Sequence, residues 1–496
     1  MVKVFNRRSL ALACVLALAG CAVGPDFHKP EAPAHAGYQP ADQKTTGTTA
    51  GDGQGLAAQA QQLVPGQDIP AQWWQLFHSP KLDALIKRAL AQNPDLDAAQ
   101  QSLKAAWEQV KAQQGSLFPQ ISGNFNPTRN RTGNALSPIP GNNTYLYNLH
   151  TAQVNVSYSP DIWGGSRRQI ESDKAQAELQ RFQLEATYLT LSSNLVNAAI
   201  TQASLRAQVA ATREMVDSQQ AVLDSYLRQQ QLGQVSDADV AAQRALLGQS
   251  QASLAPLQKA LAQQHDLIAA LCGDTPEQPT PNFDLAELHL PEQLPVSLPA
   301  QLITQRPDVR AAEASWHSAS ALVGVALANR LPNLQISGAY GGVSGGIGHM
   351  LASGAGFWSI AGSLTQPLFD GGTLRHQEKA ARAQYAQASA QYRSTVTSAL
   401  QNVADTLQAI HYDADALLAN RDAESAAARS LQVARAQYGL GDVAQVGVLA
   451  AEQTHAQAQL ALIQAQAARL SDSTALFQAL GGGWWHRQDV PADEAR

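Results

Sequence analysis

Ser166-Arg167-Arg168-Gln169-Ile170 opens a stretch that reaches Leu232 without a single glycine or proline. Thr373-Leu374-Arg375-His376 opens a second such stretch, which runs to Tyr438. Both are rich in Ala, Gln, Leu, Arg and Glu, residues that lose little freedom in a helix. At about 1.5 Å per residue, each can form one helix on the order of 100 Å long. Helices of globular proteins average about 11–12 residues. In the first stretch Leu205, Val209, Val216, Leu223 and Leu227 recur at steps of four and seven, the spacing of a coiled-coil seam. Many other seam positions are Ala or small polar residues, so neighbouring helices must approach closely.

Outside these stretches the period changes from helical to two. Ala152-Gln153-Val154-Asn155-Val156-Ser157-Tyr158 alternates apolar and polar. Ile121, Gly123 and Phe125 alternate with Ser122, Asn124 and Asn126. Leu334, Ile336, Gly338 and Tyr340 do the same around Gln335 and Ser337, and Trp358, Ile360, Gly362 and Leu364 around Ser359, Ala361 and Ser363. One apolar face suits a barrel strand with lipid outside and water inside, and equally a half-buried soluble sheet. The smallest membrane barrels need about 8 strands, so four cannot close one. An open sheet edge in lipid leaves backbone groups unpaired. If these strands lie in a membrane, several chains must share one barrel.

The chain is also duplicated. Asn93-Pro94-Asp95-Leu96-Asp97-Ala98-Ala99 recurs as Arg306-Pro307-Asp308-Val309-Arg310-Ala311-Ala312. Phe118-Pro119-Gln120-Ile121 recurs as Leu331-Pro332-Asn333-Leu334, and Pro160-Asp161-Ile162-Trp163-Gly164-Gly165 as Pro367-Leu368-Phe369-Asp370-Gly371-Gly372. Leu232-Gly233-Gln234-Val235 recurs as Leu440-Gly441-Asp442-Val443. Offsets of 213, 213, 207 and 208 keep order and spacing. Each half reads helix, strand, loop, strand, very long helix, tight turn, helix. The expected organisation is a signal segment at 1–20 and an anchored extended segment at 21–70. A first repeat follows at 71–272, then a linker at 273–298, a second repeat at 299–484 and a tail at 485–496. The residues make the fold class mainly α with four one-sided β-strands per chain; whether those strands form a membrane β-barrel portion is left to the resemblance below.

Lys3, Arg7 and Arg8 precede a short apolar run from Leu10 to Ala19. About 10 apolar residues cannot cross a bilayer that needs about 20, so this is an export signal rather than a spanning helix. Leu18-Ala19-Gly20-Cys21 follows, with small residues and cysteine in the order of a lipoprotein signal. Cys21 is therefore the expected site of covalent lipid, the only added group, and several acyl chains make a firm anchor. Cys14 leaves with the signal, so Cys272 has no cysteine left to pair with.

The net charge of −6 is spread along the chain, and no basic patch marks a nucleic-acid site. The twelve histidines show no ligand spacing with cysteine or carboxylate, so no metal is expected. Gly342-Val343-Ser344-Gly345-Gly346 fits the spacing of a nucleophile elbow. That motif needs a helix after it, whereas more glycines and a strand follow. The chain does not read as an enzyme.

These residues together resemble the outer-membrane efflux factors of the TolC superfamily, in the lipoprotein branch typified by NodT and OprM. The carriers are Cys21-Ala22-Val23-Gly24-Pro25-Asp26-Phe27, Trp73-Trp74, Leu298-Pro299 through Arg306-Pro307-Asp308-Val309-Arg310, Phe369-Asp370-Gly371-Gly372 and Ala479-Leu480-Gly481-Gly482-Gly483-Trp484. The resemblance implies a homotrimer with a twelve-strand barrel in the outer membrane and a helical tunnel in the periplasm. It places two loops outside, Thr128 to Asn148 and Gly341 to Gly356. It assigns docking of a periplasmic adaptor, and through it an inner-membrane pump of the resistance-nodulation-division or a related type, to the tips Leu232-Gly233-Gln234 and Leu440-Gly441-Asp442. It also assigns the closed end of the duct to side chains near the second tip, where Tyr438 and Val446 match by position and Asp442 and Glu452 are nearby carboxylates. Related chains carry Asp where this one has Ala450, so an acidic ring is not expected at that position. The resemblance implies a passive exit duct for small toxic compounds. The alternatives are a protein-secretion duct of the type I kind and a structural envelope lipoprotein with no channel.

Overall fold

The first glycine-free stretch is one helix, and so is the second. The computed structural model describes residues 22–29, 38, 60–132, 145–297 and 299–487. Cys21 and the expected signal segment lie outside the described residues. Helix α1 spans Pro80–Gln92 and α2 spans Pro94–Gln114. Strands β2 (Gln120–Thr132) and β3 (Tyr145–Tyr158) follow β1 (Gln62–Pro65) in the chain. Then come α3 (Gly165–Gln231) and α4 (Asp237–Leu271). The second half repeats this order. It has β4 (Gln293–Val296), α5 (Pro299–Gln305), α6 (Pro307–Ala328), β5 (Asn333–Ser344), β6 (Gly356–Thr365), α7 (Thr373–Leu440) and α8 (Gln445–Ala479).

Local chemistry sets the breaks. Pro94 and Pro307 begin helices at the position where a missing N–H costs nothing. The Asn93 side chain accepts hydrogen bonds from the backbone N–H groups of Asp95 and Leu96 and so caps α2. Both long helices start beneath a carboxylate. Asp161 accepts from Ser166 and Arg167 N–H at 3.0 and 2.9 Å. Asp370 accepts from Gly372 and Leu374 N–H, both at 2.8 Å. An anion at a helix N-terminus satisfies orphan donors and opposes the helix dipole.

The chain falls into two compact units. The first takes Leu103–Gln180 and Ala312–Tyr392 with the N-terminal segment up to Pro30. It holds an antiparallel sheet of order β2-β3-β5-β6. Its register confirms the alternation: Ile121 faces Val156, Val154 faces Tyr340, and Tyr340 faces Trp358. Ile121, Phe125, Val154, Ile336, Tyr340, Trp358, Ile360 and Leu364 are all exposed. The strands run further than the expected loop bounds. Thr128–Thr132 and Tyr145–Asn148 pair with each other, and Gly341 and Gly342 pair with β6, so both loops are shorter than the sequence suggested. Backbone pairing continues there after the apolar alternation has given way to Arg129, Asn130 and Arg131.

The second unit takes Glu31–Ser102, Arg181–Ala311 and Arg393–Arg496. Its core holds Ile69, Trp73, Trp74, Phe77, Ile86 and Phe477, all but inaccessible. Trp73 stacks on Phe477 at 5.3 Å, and Trp74 donates from Nε1 to Asp83 at 3.0 Å. Strands β1 and β4 pair in parallel, Gln62 with Gln293 through Pro65 with Val296. The stretches read as extended segment and linker thus carry one short strand each. Among the described residues no helix is long and apolar enough to cross a membrane.

Candidate functional site

Two helical reversals, 208 residues apart, are the candidate site. At the first tip α3 ends and Gly233 takes a positive φ of 70°. Its N–H bonds to Gln230 O at 2.9 Å, and Gln234 N–H bonds to Gln229 O at 2.9 Å. At the second tip Gly441 takes φ 82°, with Gly441 N–H to Tyr438 O at 3.0 Å and Asp442 N–H to Gln437 O at 2.9 Å. This is the paired closure that satisfies terminal carbonyls and favours glycine in the left-handed region.

The two tips are built differently after the turn. Ser236 caps α4: its hydroxyl accepts from Asp239 N–H at 3.2 Å, and the Asp239 carboxylate accepts from Ser236 N–H at 3.3 Å. The matching residue before α8 is Ala444, which offers no side-chain cap. Behind the first tip, Leu223, Val240 and Leu247 form a buried cluster, packed by Val216, Tyr226, Leu227 and Val235. Behind the second, the positions matching Val216 and Leu247 are Glu424 and His455, joined at 3.2 Å. The position matching Leu227 is Arg435, which pairs with Glu452 at 2.8 Å.

The residues expected near the closed end separate into two kinds. Val446 is 72 % exposed, Tyr438 41 %, and Asp442 and Ala450 are exposed too. The side chain of Glu452 is only 11 % exposed. Its Oε1 accepts from Arg435 on α7 and from the Ser218 hydroxyl on α3, the latter at 3.5 Å. Glu452 is therefore a tie between the two hairpins rather than a free surface charge. Tyr438 lies near Tyr226, whose phenol burial and that neighbour push upward in pKa. Leu232, Gly233, Gln234, Leu440 and Gly441 are exposed at the two turns. Sequence reasoning missed Ser218, Arg435, Glu424 and His455. For Arg435, Glu424 and His455 the one signal is the replacement of Leu227, Val216 and Leu247 by ionisable residues between repeats; Ser218 carries none.

Further along the second hairpin, Asp472 on α8 lies beside Asp413 on α7. Burial and that neighbouring carboxyl push it up to about 7, while Arg469 opposes the rise. The first repeat has Leu205, Gln264 and Leu261 where these three residues stand. Among the described residues no group of three or more His, Cys, Asp or Glu could hold a metal ion. Ser344 ends β5 and is followed by one short turn at Ile347–His349 and then β6, not by the helix of a nucleophile elbow.

The outer membrane efflux protein family model matches residues 85–274 and 298–482, most of both repeats. The chain belongs to the outer membrane efflux protein family. The toluene efflux pump outer membrane protein TtgC of Pseudomonas putida is 28% identical over 481 residues, which is 97% of this chain and 96% of that one. The pyoverdine export outer membrane protein OpmQ of Pseudomonas putida is 28% identical over 424 residues, 84% of this chain and 89% of that one. The outer-membrane channel OprN superposes with a TM-score of 0.81 at 25% identity, covering 94% of this chain and 100% of that one. The Campylobacter jejuni CmeC outer membrane channel gives 0.84 at 21% identity, over 95% and 97%. These relatives are efflux proteins and channels rather than enzymes. The fold of long helices with a four-stranded sheet is the fold of those channels.

Proposed function

We propose that this chain is one of three identical subunits of a passive exit duct in the outer membrane. The observation that carries the reading is the sheet. It exposes an apolar face, and β2 and β6 are both open edges. Pairing β6 of one copy with β2 of the next satisfies every edge without a new element. Three copies give twelve strands, above the minimum of about 8 for a closed barrel. Covalent lipid on Cys21 adds a second hold on the membrane. The helical hairpins extend into the periplasm, where the tips at Leu232-Gly233-Gln234 and Leu440-Gly441-Asp442 receive an adaptor protein. The adaptor connects the duct to an inner-membrane pump that supplies the energy. The cargo is small toxic compounds, a class that toluene export by a relative supports. Tyr438 and Val446, exposed beside the second turn, narrow the duct at rest, with Asp442 beside them. Glu452 holds that closed arrangement through Arg435 and Ser218.

The test is the mass of the detergent-extracted protein, with bilayer conductance of the same sample. A trimer that conducts supports the duct. A monomer without conductance overturns it.

A further inference from the structure

Residues Ala22–Lys29 form no helix or strand, yet they are held to the first unit along their whole length. Val23 N–H donates to Trp163 O at 3.0 Å. Arg168, on the first turn of α3, is only 7 % exposed. It donates from Nη2 to Asp26 Oδ1 at 2.6 Å, from Nη1 to Glu171 Oε2 at 2.7 Å, and from Nε to Val23 O at 3.2 Å. A planar fork suits this, because three acceptors in different directions are met by one rigid group. The Phe27 ring stacks on His317 at 4.6 Å and meets Trp316 edge-on at 5.4 Å. His317 Nε2 in turn lies 2.9 Å from Glu171 Oε1, so ring and guanidinium share one carboxylate. Gly24 sits with φ 108° against the backbone of Gly324, where a Cβ on either residue would collide. Ala22 packs on Gly164, the residue before α3 begins.

No part of the proposed duct requires these contacts. Packing alone does not need a buried arginine turned toward an eight-residue strap that lacks secondary structure. Its net effect is positional. The strap begins at the junction between the sheet and the long helix. Cys21 precedes Ala22 by one Cα step of about 3.8 Å.

We propose that Arg168 is a positioning residue that latches Ala22–Lys29, so that the protein itself fixes where Cys21 meets the membrane. The latch rests on the duct reading for its purpose and on its own contacts for its existence. Arg168 lowers the Asp26 carboxyl below its ordinary value through its hydrogen bond and its charge. The strap carries the aromatic half of the lock in Phe27, and α6 carries the receiving half in Trp316 and His317. A lipid alone would tether the N-terminus loosely, by chain length. The latch makes the tether short and directed.

The experiment places a nitroxide on His28→Cys in the full-length, membrane-extracted protein. His28 is exposed and Cys272 is buried, and every form carries Cys14→Ser with Cys21 either acylated or replaced, so labelling is selective. The parent spectrum should show an immobilised label. Arg168→Ala should mobilise it, and so should Asp26→Asn, whose side chain is exposed and cannot disturb the core. Arg168→Lys keeps the charge but not the fork, and should rescue only in part. A Cys21→Ser form should still show the immobilised label, because the latch does not depend on acylation. The proposal is overturned if the parent label is mobile, if it stays fixed in both Arg168→Ala and Asp26→Asn, or if removing Cys21 alone frees it. Intact mass of the same samples reports acylation separately, so loss of the lipid reading and loss of the latch give different results.

Discussion

The two helical hairpins descend from one repeated unit, and the second has been made polar where the first is apolar. Leu223, Val240 and Leu247 seal the first hairpin behind its tip. The second keeps Leu431 and Val448 buried but replaces Leu247 with His455 and Val216 with Glu424. It replaces Leu227 with Arg435, and Leu205 and Gln264 with Asp413 and Asp472. It also gives up the serine cap. Apolar burial carries no charge to titrate, whereas the half-buried ion pairs of the second hairpin depend on the charge of both partners and are screened where they reach solvent. The first hairpin is thus held by contacts that pH leaves alone, and the second by contacts that pH and salt can weaken. If the duct seals and opens at these tips, as proposed above, the duplication divides the two properties between its halves.

The largest way to break this comparison is to empty the first hairpin. Leu247→Ala should cost about 2–5 kcal/mol through the cavity it leaves. Amide exchange around Val235 to Leu247 should then accelerate to match the second hairpin. If exchange at the first tip stays slow, the buried cluster does not hold it.

A pH series sharpens the contrast next. Asp472 rises from 3.8 to about 7 in the folded protein. The folded chain then holds a proton that the unfolded chain has lost across that window. Stability therefore falls as pH rises from about 4 to about 7 and is lowest above it. Thermal unfolding should move up on acidification from pH 8 to pH 5. Asp472→Asn should raise the pH 8 midpoint and flatten the curve. An unchanged slope in that variant would assign the pH dependence elsewhere.

Capping gives a smaller effect. Ser236→Ala should cost about 1 kcal/mol at the first tip. Ala444→Ser at the matching position should slow exchange at the start of α8, since it adds an acceptor for orphan N–H groups. Equal exchange before and after that change would show that the cap is not what distinguishes the tips.

The architecture was legible because its signals are long. Glycine- and proline-free runs from Ser166 and Thr373 specify helices whatever surrounds them. Strict alternation at Ala152–Tyr158 and its counterparts specifies one-sided strands. The strand ends were not legible, because Arg129–Arg131 pair through backbone with no apolar rhythm to announce it. Strands β1 and β4 were missed because four residues carry almost no period, and their pairing joins Gln62 to Gln293 across more than a whole repeat. The tips could be located from Gly233 and Gly441. Their energetics could not, because Glu452 meets Ser218, 234 positions away in the chain. A carboxylate on a helix looks solvated until its partners are placed.

The most direct test of the hairpin account is single-channel conductance after removing matched side chains, Leu227→Ala in the first hairpin and Arg435→Ala in the second. Arg435→Ala removes the ion-pair partner of Glu452 and leaves it only the long Ser218 contact, and should raise the resting conductance, while Leu227→Ala should leave the second hairpin closed and the conductance near that of the parent. A rise with Leu227→Ala and none with Arg435→Ala would contradict the account and put the opening in the apolar hairpin.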